Sequence, residues 1–553
     1  MARTGHVPSF SILATLAIGL AACGGPAGGI DATRIDAVFS QYAKNDSPGC
    51  ALGVYRDGRV AYAKGYGMAD LERNVPITPA MIFDLGSTSK QFAAASIILL
   101  ANEGKLALTD DVRKYVPEVP DLGPQITVEH LVRHTSGMRD YNGLLFVHGF
   151  RSEDFTGDAD ALDIIARQKA LNFAPGAKWD YSNTGFFLLS IIVERVTGKN
   201  LAVFAKERIF GPLGMSKTHF RNNHLAILPG RALAYSPADS GGWQIDLSDW
   251  DQLGDGAVNS SVEELIKWDE NFYSPTVGGQ ALIDKLTEPG TLNDGKKHGY
   301  GRGLFLDRYR GLERVHHGGA WAGYRAMLMR FPKQHTSIAL TCNIGTANTS
   351  GLAEQVADVV LADQFTEEAE AGPKDGAAAV ALPADADRFV GTYFSEAQQQ
   401  VVRIARDTAG LSLAFGGGTI PMKPTAANRF SVGGFLDVTF ADGAPAPSFN
   451  AVQLGDDRGP YVRATPVAPT AAELDGVAGR YYSPELDVTW TIERSGDTVA
   501  VKTRGMGRLP MTPAFAGAFQ IPVGLLRFEG PVVRRTGFQL HGGRMLGLRF
   551  DRK

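Results

Sequence analysis

The sequence predicts an α+β domain, an antiparallel sheet joined to a helical region, followed by two small antiparallel β-barrels. Three observations carry that expectation. Strand-like runs stand near both ends of the first 365 residues, with helical periodicity between them. Residues 366–387 turn to Ala, Glu, Gly, Pro and Asp, the composition of a linker. Beyond it, Gly391-Thr392-Tyr393-Phe394-Ser395 recurs 88 residues on as Gly479-Arg480-Tyr481-Tyr482-Ser483, and Ile404, Leu411 and Leu413 recur as Ile492, Val499 and Val501. That period is too long for a solenoid unit and suits a small domain. Short alternating strands with Gly and Asp turns make each copy a barrel, over 388–468 and 469–553.

The N-terminus reads as an export signal. Arg3 and His6 precede an apolar stretch from Phe10 to Leu20, too short to span a bilayer and of signal-peptide length. It ends in Leu20-Ala21-Ala22-Cys23 and a run of glycines, which resembles a bacterial lipoprotein signal: 1–22 removed, Cys23 lipidated, 23–30 a tether. The alternative is a soluble-export signal with an incidental cysteine. Either places the mature protein outside the cytoplasm, in the periplasm, with membrane contact only through a lipid on Cys23. The remaining cysteines, Cys50 and Cys342, sit in strand-like runs and are expected to be buried free thiols. A net charge of −4 without a basic run excludes a nucleic-acid partner. No Cys or His spacing predicts a metal site, and no cofactor is called for.

Taken in order, Ile30 to Lys44 predicts an amphipathic helix, and Cys50 to Arg56, a turn at Asp57-Gly58 and Val60 to Gly65 predict a hairpin. A helix from about Ser87 to a stop at Gly104 is apolar on nearly every face and is therefore buried. Ile126 to Met138 reads as a capped short helix running into a turn, with His130 and His134 in structural roles. Helical periodicity returns over 160–168 and 184–197, and Ser261-Val262-Glu263-Glu264 is a capping-box match. Strands follow at 301–306, 315–320, 325–331 and 337–342, then a helix over 351–364.

The chemistry starts at Phe83-Asp84-Leu85-Gly86-Ser87-Thr88-Ser89-Lys90. A hydroxyl and an amine one turn apart share a face at the start of a buried helix. An ammonium in low dielectric has a depressed pKa, and the neutral amine can take the proton of a serine hydroxyl. Downstream, Tyr181-Ser182-Asn183 and His317-Gly318-Gly319 stand in a fixed order after it.

With Leu131-Val132-Arg133-His134-Thr135-Ser136-Gly137, this ordered set resembles the serine β-lactamase and penicillin-binding-protein-like hydrolases, in the branch of class C β-lactamases, D-aminopeptidases and related esterases, over residues 31–365. The resemblance implies a β-lactamase-like catalytic domain in which Ser87 attacks the carbonyl and Lys90 and Tyr181 share the acid and base work. Which of those two takes the first proton is open. It implies an oxyanion hole from the Ser87 and Ala320 N–H groups, with Asn183 and Gly319 beside the substrate. Gly318 and Gly319 are expected to be small so that substrate can approach the strand. Where the family commonly has lysine, His317 is expected to act as a weaker, pH-dependent cation. The two barrels resemble the D-aminopeptidase architecture. The function implied is an exported serine hydrolase cutting amide bonds of short peptides with D- or non-standard residues, of D-aminopeptidase or linear-microcystin-peptidase type. An esterase or weak class C-like β-lactamase, or a non-hydrolytic peptidoglycan or β-lactam sensor, are the alternatives. The partner implied is a small peptide or ester substrate.

Overall fold

The stretch Cys50-Ala51-Leu52-Gly53-Val54-Tyr55 is apolar at every position, as a strand covered on both faces must be, and it lies inside the main sheet. The computed structural model describes residues 30–366, 380–408, 410–415, 418–433, 436–453, 456–465 and 467–553. The expected signal peptide, Cys23 and tether, and most of the expected linker, lie outside the described residues. The main sheet is built from β1 (Cys50–Arg56), β2 (Arg59–Tyr66), β3 (Phe305–Tyr309), β4 (Leu312–Trp321), β5 (Tyr324–Phe331) and β6 (Thr336–Cys342), in the antiparallel order β3-β4-β5-β6-β1-β2. It thus joins the two ends of the domain.

The helices used below are α1 (Ala32–Val38), α2 (Lys90–Asn102), α3 (Val128–Val132), α4 (Tyr141–His148), α5 (Asp158–Ala166), α6 (Asn183–Thr197), α7 (Val262–Glu270) and α8 (Thr349–Val360). Alternation in the strands sends Leu52, Val54, Met327, Met329 and Leu340 to one face, under α1 and α8. Ala51, Tyr55, Leu328 and Ala339 face the other way, toward Phe92 of α2 and Trp268 of α7. Gly198 closes α6 in the left-handed conformation that its place in the sequence predicts.

Several boundaries differ from expectation for local reasons. The first helix ends at Val38 and continues as a 3-10 turn, Ser40–Tyr42. The strand expected at 301–306 begins at Phe305, because Gly301 and Arg302 turn back to bond Leu304 and Leu286. At α7 the Ser261 hydroxyl accepts from the Glu264 N–H, but the Glu264 carboxylate bonds Lys217 and Lys267 instead of closing a reciprocal box.

Each repeat copy is a closed eight-stranded antiparallel barrel, running from Gly391–Ser395 to Asp456–Arg463 and from Gly479–Ser483 to Met545–Arg552. Closure explains the repeated Gly-x-Tyr. Tyr393 and Tyr481 donate to the carbonyls of Phe389 and Val477, four residues back, and each lies under an arginine of the last strand, Arg463 or Arg552. A Cβ at Gly391 would stand 2.1 Å from the Arg463 guanidinium, so that position is glycine.

The cysteines overturn the free-thiol expectation. Antiparallel pairing of β1 with β6 sets Cys50 directly opposite Cys342, and the two are joined as a disulfide. Two strands 292 residues apart in sequence supply that register, which no local pattern reports. Losing the cross-link by Cys50→Ala with Cys342→Ala should lower stability by about 2–5 kcal/mol. Denatured, unreduced protein should take up no thiol reagent at either position; labelling of both would refute the bond.

Candidate active site

The turn that carries Ser87 is held from three sides. Strand Phe83–Asp84 pairs with Val258–Ser260, and the Leu85 N–H donates to Val258 O at 2.8 Å. Asp84 Oδ1 accepts from the Gly86 N–H at 2.7 Å. Ser87 then sits in a 3-10 turn, Gly86–Ser89, one step ahead of α2 rather than inside it. Side chains three apart eclipse in a 3-10 turn, which aims Ser87 and Lys90 at one another. Thr88 Oγ1 donates to His317 O on β4 at 3.1 Å, and Ser89 Oγ accepts from the Val258 N–H at 3.0 Å.

Turn and strand meet with no side chain between them. A Cβ on Gly319 would stand 1.8 Å from Leu85 O, and one on Gly86 would stand 2.7 Å from the Ala320 nitrogen. Gly319 must therefore be small for the nucleophile turn to lie on it, a reason beyond the expected approach of substrate to the cleft that it also lines. A Cβ on Gly318 would meet the flexible end of Met327 at 3.2 Å and Ala326 O at an ordinary 3.6 Å, and Gly318 lines the cleft. The two-residue turn Ala322-Gly323 makes Trp321 and Tyr324 the hydrogen-bonded pair, so by alternation the Ala320 N–H points to the other edge of β4. There β3 pairs only as far as His316. The Ser87 nitrogen lies across the same contact, 3.1 Å from that Gly319 Cβ position.

Lys90 is wholly buried. Its Nζ lies 2.8 Å from Asn183 Oδ1, 2.6 Å from Asp255 O and 3.2 Å from Ser87 Oγ. The two short partners are carbonyl oxygens and can only accept; the third is a hydroxyl and can also donate. A neutral amine fits this set, with both N–H bonds spent on carbonyls and the lone pair on Ser87. Burial brings the Lys90 pKa down to about 7, against the attraction of the Asp255 carboxylate, with Arg544 adding to the lowering.

Tyr181 comes from the loop leading into α6, and Asn183 is that helix's first residue. Ser182 N–H donates to His134 Nδ1 at 3.2 Å, and Asn183 N–H donates to Asp140 Oδ2 at 2.7 Å. Asp140 also caps α4. Lys90 Nζ lies 4.8 Å from the centre of the Tyr181 ring, and the Arg544 guanidinium 4.5 Å. Burial pushes the phenol pKa up, opposed by the Ser87 hydroxyl and Arg544. Tyr181 is a protonated phenol at neutral pH.

His317 is not the cation that was expected. His134 Nδ1 accepts from Ser182, which leaves its Nε2–H to donate to Tyr300 Oη at 3.1 Å. The Tyr300 hydroxyl then donates to His317 Nε2 at 3.1 Å, and His317 Nδ1–H donates to Gly318 O at 2.6 Å. Both rings are neutral in this chain. Burial, with Lys90 beside it, holds His317 down to about 3, and burial holds His134 well below the usual imidazole range.

Ser87, Tyr181, Asn183, Asp255 and His317 line one cavity of about 730 Å³, with Lys90 and Tyr300 behind its wall, and it also receives residues of both barrels, Gln453 from the first and Arg544 from the second. Arg544 occupies the tip of the hairpin between strands Gly537–Gly542 and Met545–Arg552. Its carbonyl accepts from Asp140 N–H and Asn172 Nδ2, and its guanidinium lies 3.7 Å from Asp140 Oδ2. The structure brings Ser87, Lys90, Tyr181, Asn183, His317, Gly319 and Ala320 together. Sequence reasoning missed Asp255, Tyr300, Asp140 and Arg544. The last had one signal, an arginine following the glycine pair Gly542-Gly543.

The Beta-lactamase family model matches residues 35–362. A D-aminopeptidase of Cereibacter sphaeroides (strain KD131) is 28% identical over 84% of this chain and 85% of its own length. A D-aminopeptidase of Gluconobacter oxydans is 29% identical over 56% of this chain, and the match spans 58% of that protein. Among solved structures, the octameric penicillin-binding protein homologue from Pyrococcus abyssi superposes with a TM-score of 0.58 at 20% identity, over 87% of this chain and all of that one, and so shares its fold.

The two glycines of β4 separate fold from substrate access. Gly319→Ala should destabilise the protein by more than about 2 kcal/mol and abolish activity, since backbone on both sides cannot yield. Gly318→Ala should melt within a few degrees of the parent. Equal melting temperatures for the two variants would contradict this packing.

Proposed function

The chain belongs to the beta-lactamase family and is a serine hydrolase of that fold, and from this we propose that it hydrolyses amide bonds of short peptides containing D- or non-standard residues, through an acyl-enzyme on Ser87. The observation that carries the reading is the set of contacts around Lys90 Nζ, two carbonyl acceptors and the Ser87 hydroxyl. Lys90 takes the proton as Ser87 Oγ attacks the substrate carbonyl. The Ser87 and Ala320 N–H groups bind the oxyanion that forms. Tyr181, held protonated, hands a proton to the leaving nitrogen and is restored from Lys90. A water then adds to the acyl ester by the reverse relay, releasing the acid and Ser87. Tyr181 serves as the donor, because burial raises its pKa and the first base is Lys90.

Peptide is favoured over β-lactam because His317 is neutral and offers no charge to a drug's carboxylate. The D-configuration rests on the named relatives, of which the Cereibacter protein matches over 84% of this chain, more than the catalytic domain alone. Export is supported by the signal-like N-terminus and by the Cys50–Cys342 disulfide, a bond that persists in oxidising compartments. Lipidation of Cys23 is part of the same proposal.

Paired D-Ala and L-Ala p-nitroanilides, with a p-nitrophenyl ester alongside, test the substrate class. The expected result is D-selective amide cleavage that Ser87→Ala abolishes without changing the melting temperature; ester cleavage alone would favour an esterase. The pH profile tests Lys90. Its amine is charged below about 7 and neutral above, so kcat/KM should rise with pH through about 7. Lys90→Met should lower the rate by about 10²-fold or more. A profile flat from pH 6 to 9 would remove Lys90 as the base.

A further inference from the structure

The cavity at Ser87 does not end at the second barrel. A second cavity, of about 510 Å³, lies where α4 meets both barrels, and it shares Asp140, Gly143, Phe146 and Arg544 with the first. Arg544 stands between them. Its side chain is 44% exposed, and its ion pair with Asp140 is long at 3.7 Å.

The walls of the second cavity have a consistent chemistry. Gln398 Nε2 donates to Arg458 O at 3.0 Å and Gln520 Nε2 to Ile521 O at 2.8 Å, which leaves each amide oxygen without a hydrogen bond among the described residues. Gln400 Oε1 accepts from Tyr461 Oη, which leaves its Nε2 donors in the same condition. Each amide is thus fixed at one end and free at the other. Beside them are Val523, Leu525 and Met545. His541 is neutral, held down to about 4 by burial and by Arg527 and Arg139. Apart from Asp140 and Arg544 on the shared boundary, no Asp, Glu, Lys or Arg lines this space among the described residues. Oriented neutral acceptors and donors over apolar patches match the N–H and C=O groups of a peptide backbone carrying apolar side chains.

We propose that the second cavity is a distal subsite that holds the far residues of an extended, uncharged oligopeptide whose scissile bond lies at Ser87. This rests on the reading of Ser87 as an acyl-enzyme hydrolase and adds the substrate's length and character. The first cavity alone has room for a drug-sized ligand, within the roughly 300–1,000 Å³ usual for such sites, so the second is room for further residues. The barrels then bind substrate directly, because Gln400 and Gln520 belong one to each.

Two series of N-acylated peptide p-nitroanilides and internally quenched peptides, lengthened by neutral residues on either side of one scissile bond, test the proposal. Along one series kcat/KM should climb by about tenfold or more, and Gln400→Ala with Gln520→Ala should erase most of the gain. The same double variant should leave D-Ala p-nitroanilide hydrolysis within about twofold. Binding of the fluorescently labelled peptides to Ser87→Ala protein supplies a readout free of turnover. Tighter binding with length, lost in the glutamine variant, supports the subsite even where no peptide is cut, and that outcome would sink the hydrolase reading instead. Length-independent binding and kcat/KM, or equal losses on short and long substrates, would overturn the subsite.

Discussion

A lysine with no access to water is the constraint on which the rest of the domain depends. Bringing the Lys90 pKa from its ordinary value to about 7 means the interior disfavours the ammonium by on the order of 5 kcal/mol relative to water. Only a surround without spare counter-charge achieves this. The Asp255 carboxylate is close enough to oppose the shift, but it is Asp255's carbonyl that meets Nζ, while its carboxylate accepts from Tyr141 Oη. Burial in turn raises Asp255 to about 6. Each group weakens the other's preference for neutrality, and the backbone geometry keeps them from forming a direct ion pair that would silence the base.

The neutral chain Ser182–His134–Tyr300–His317–Gly318 answers a second need of the same interior. Polar groups so near Lys90 must be satisfied without adding positive charge, which would repel the ammonium, or negative charge, which would trap it. One donor and one acceptor per ring accomplish that, and they tie the Tyr181 loop to β4 across the cleft. A lysine in place of His317 would insert a charge into this chain. The histidine is therefore better understood as part of the wall than as an attenuated cation.

What was legible in the sequence follows from range. Ser87 and Lys90 are three residues apart, the glycines of β4 are adjacent to His317, and the repeat is written out twice at a fixed offset. Patterns of that kind report local geometry and were readable. The disulfide, the Asp255 carbonyl and Tyr300 reach their partners over 292, 165 and 166 residues, and nothing in their neighbours announces it. His317 shows the limit most clearly: its position was legible and its charge was not, because charge is set by burial and by Tyr300, both tertiary facts. Gly319 was picked out for its smallness, yet the neighbour that demands smallness is Leu85 O, a contact between turn and strand.

The barrels were readable as domains, structural or limiting access to the cleft, but which of their residues reach it was not, and the physical reason lies in how the second one is fastened. Arg139 donates to Leu546 O and Gly547 O and pairs with Glu485 at 2.5 Å, both side chains nearly without exposure. A buried ion pair of that kind is costly to break from one side, about 3–5 kcal/mol, because the partner's charge is left without compensation. Arg139 directly precedes Asp140, which caps α4 and accepts from Asn183 N–H. The attachment of the barrel and the placement of Asn183 against Lys90 are therefore two ends of one short segment. A barrel fastened there is tied through that segment to the Lys90 surround, and the same attachment sets the hairpin that carries Arg544 at the edge of the cleft.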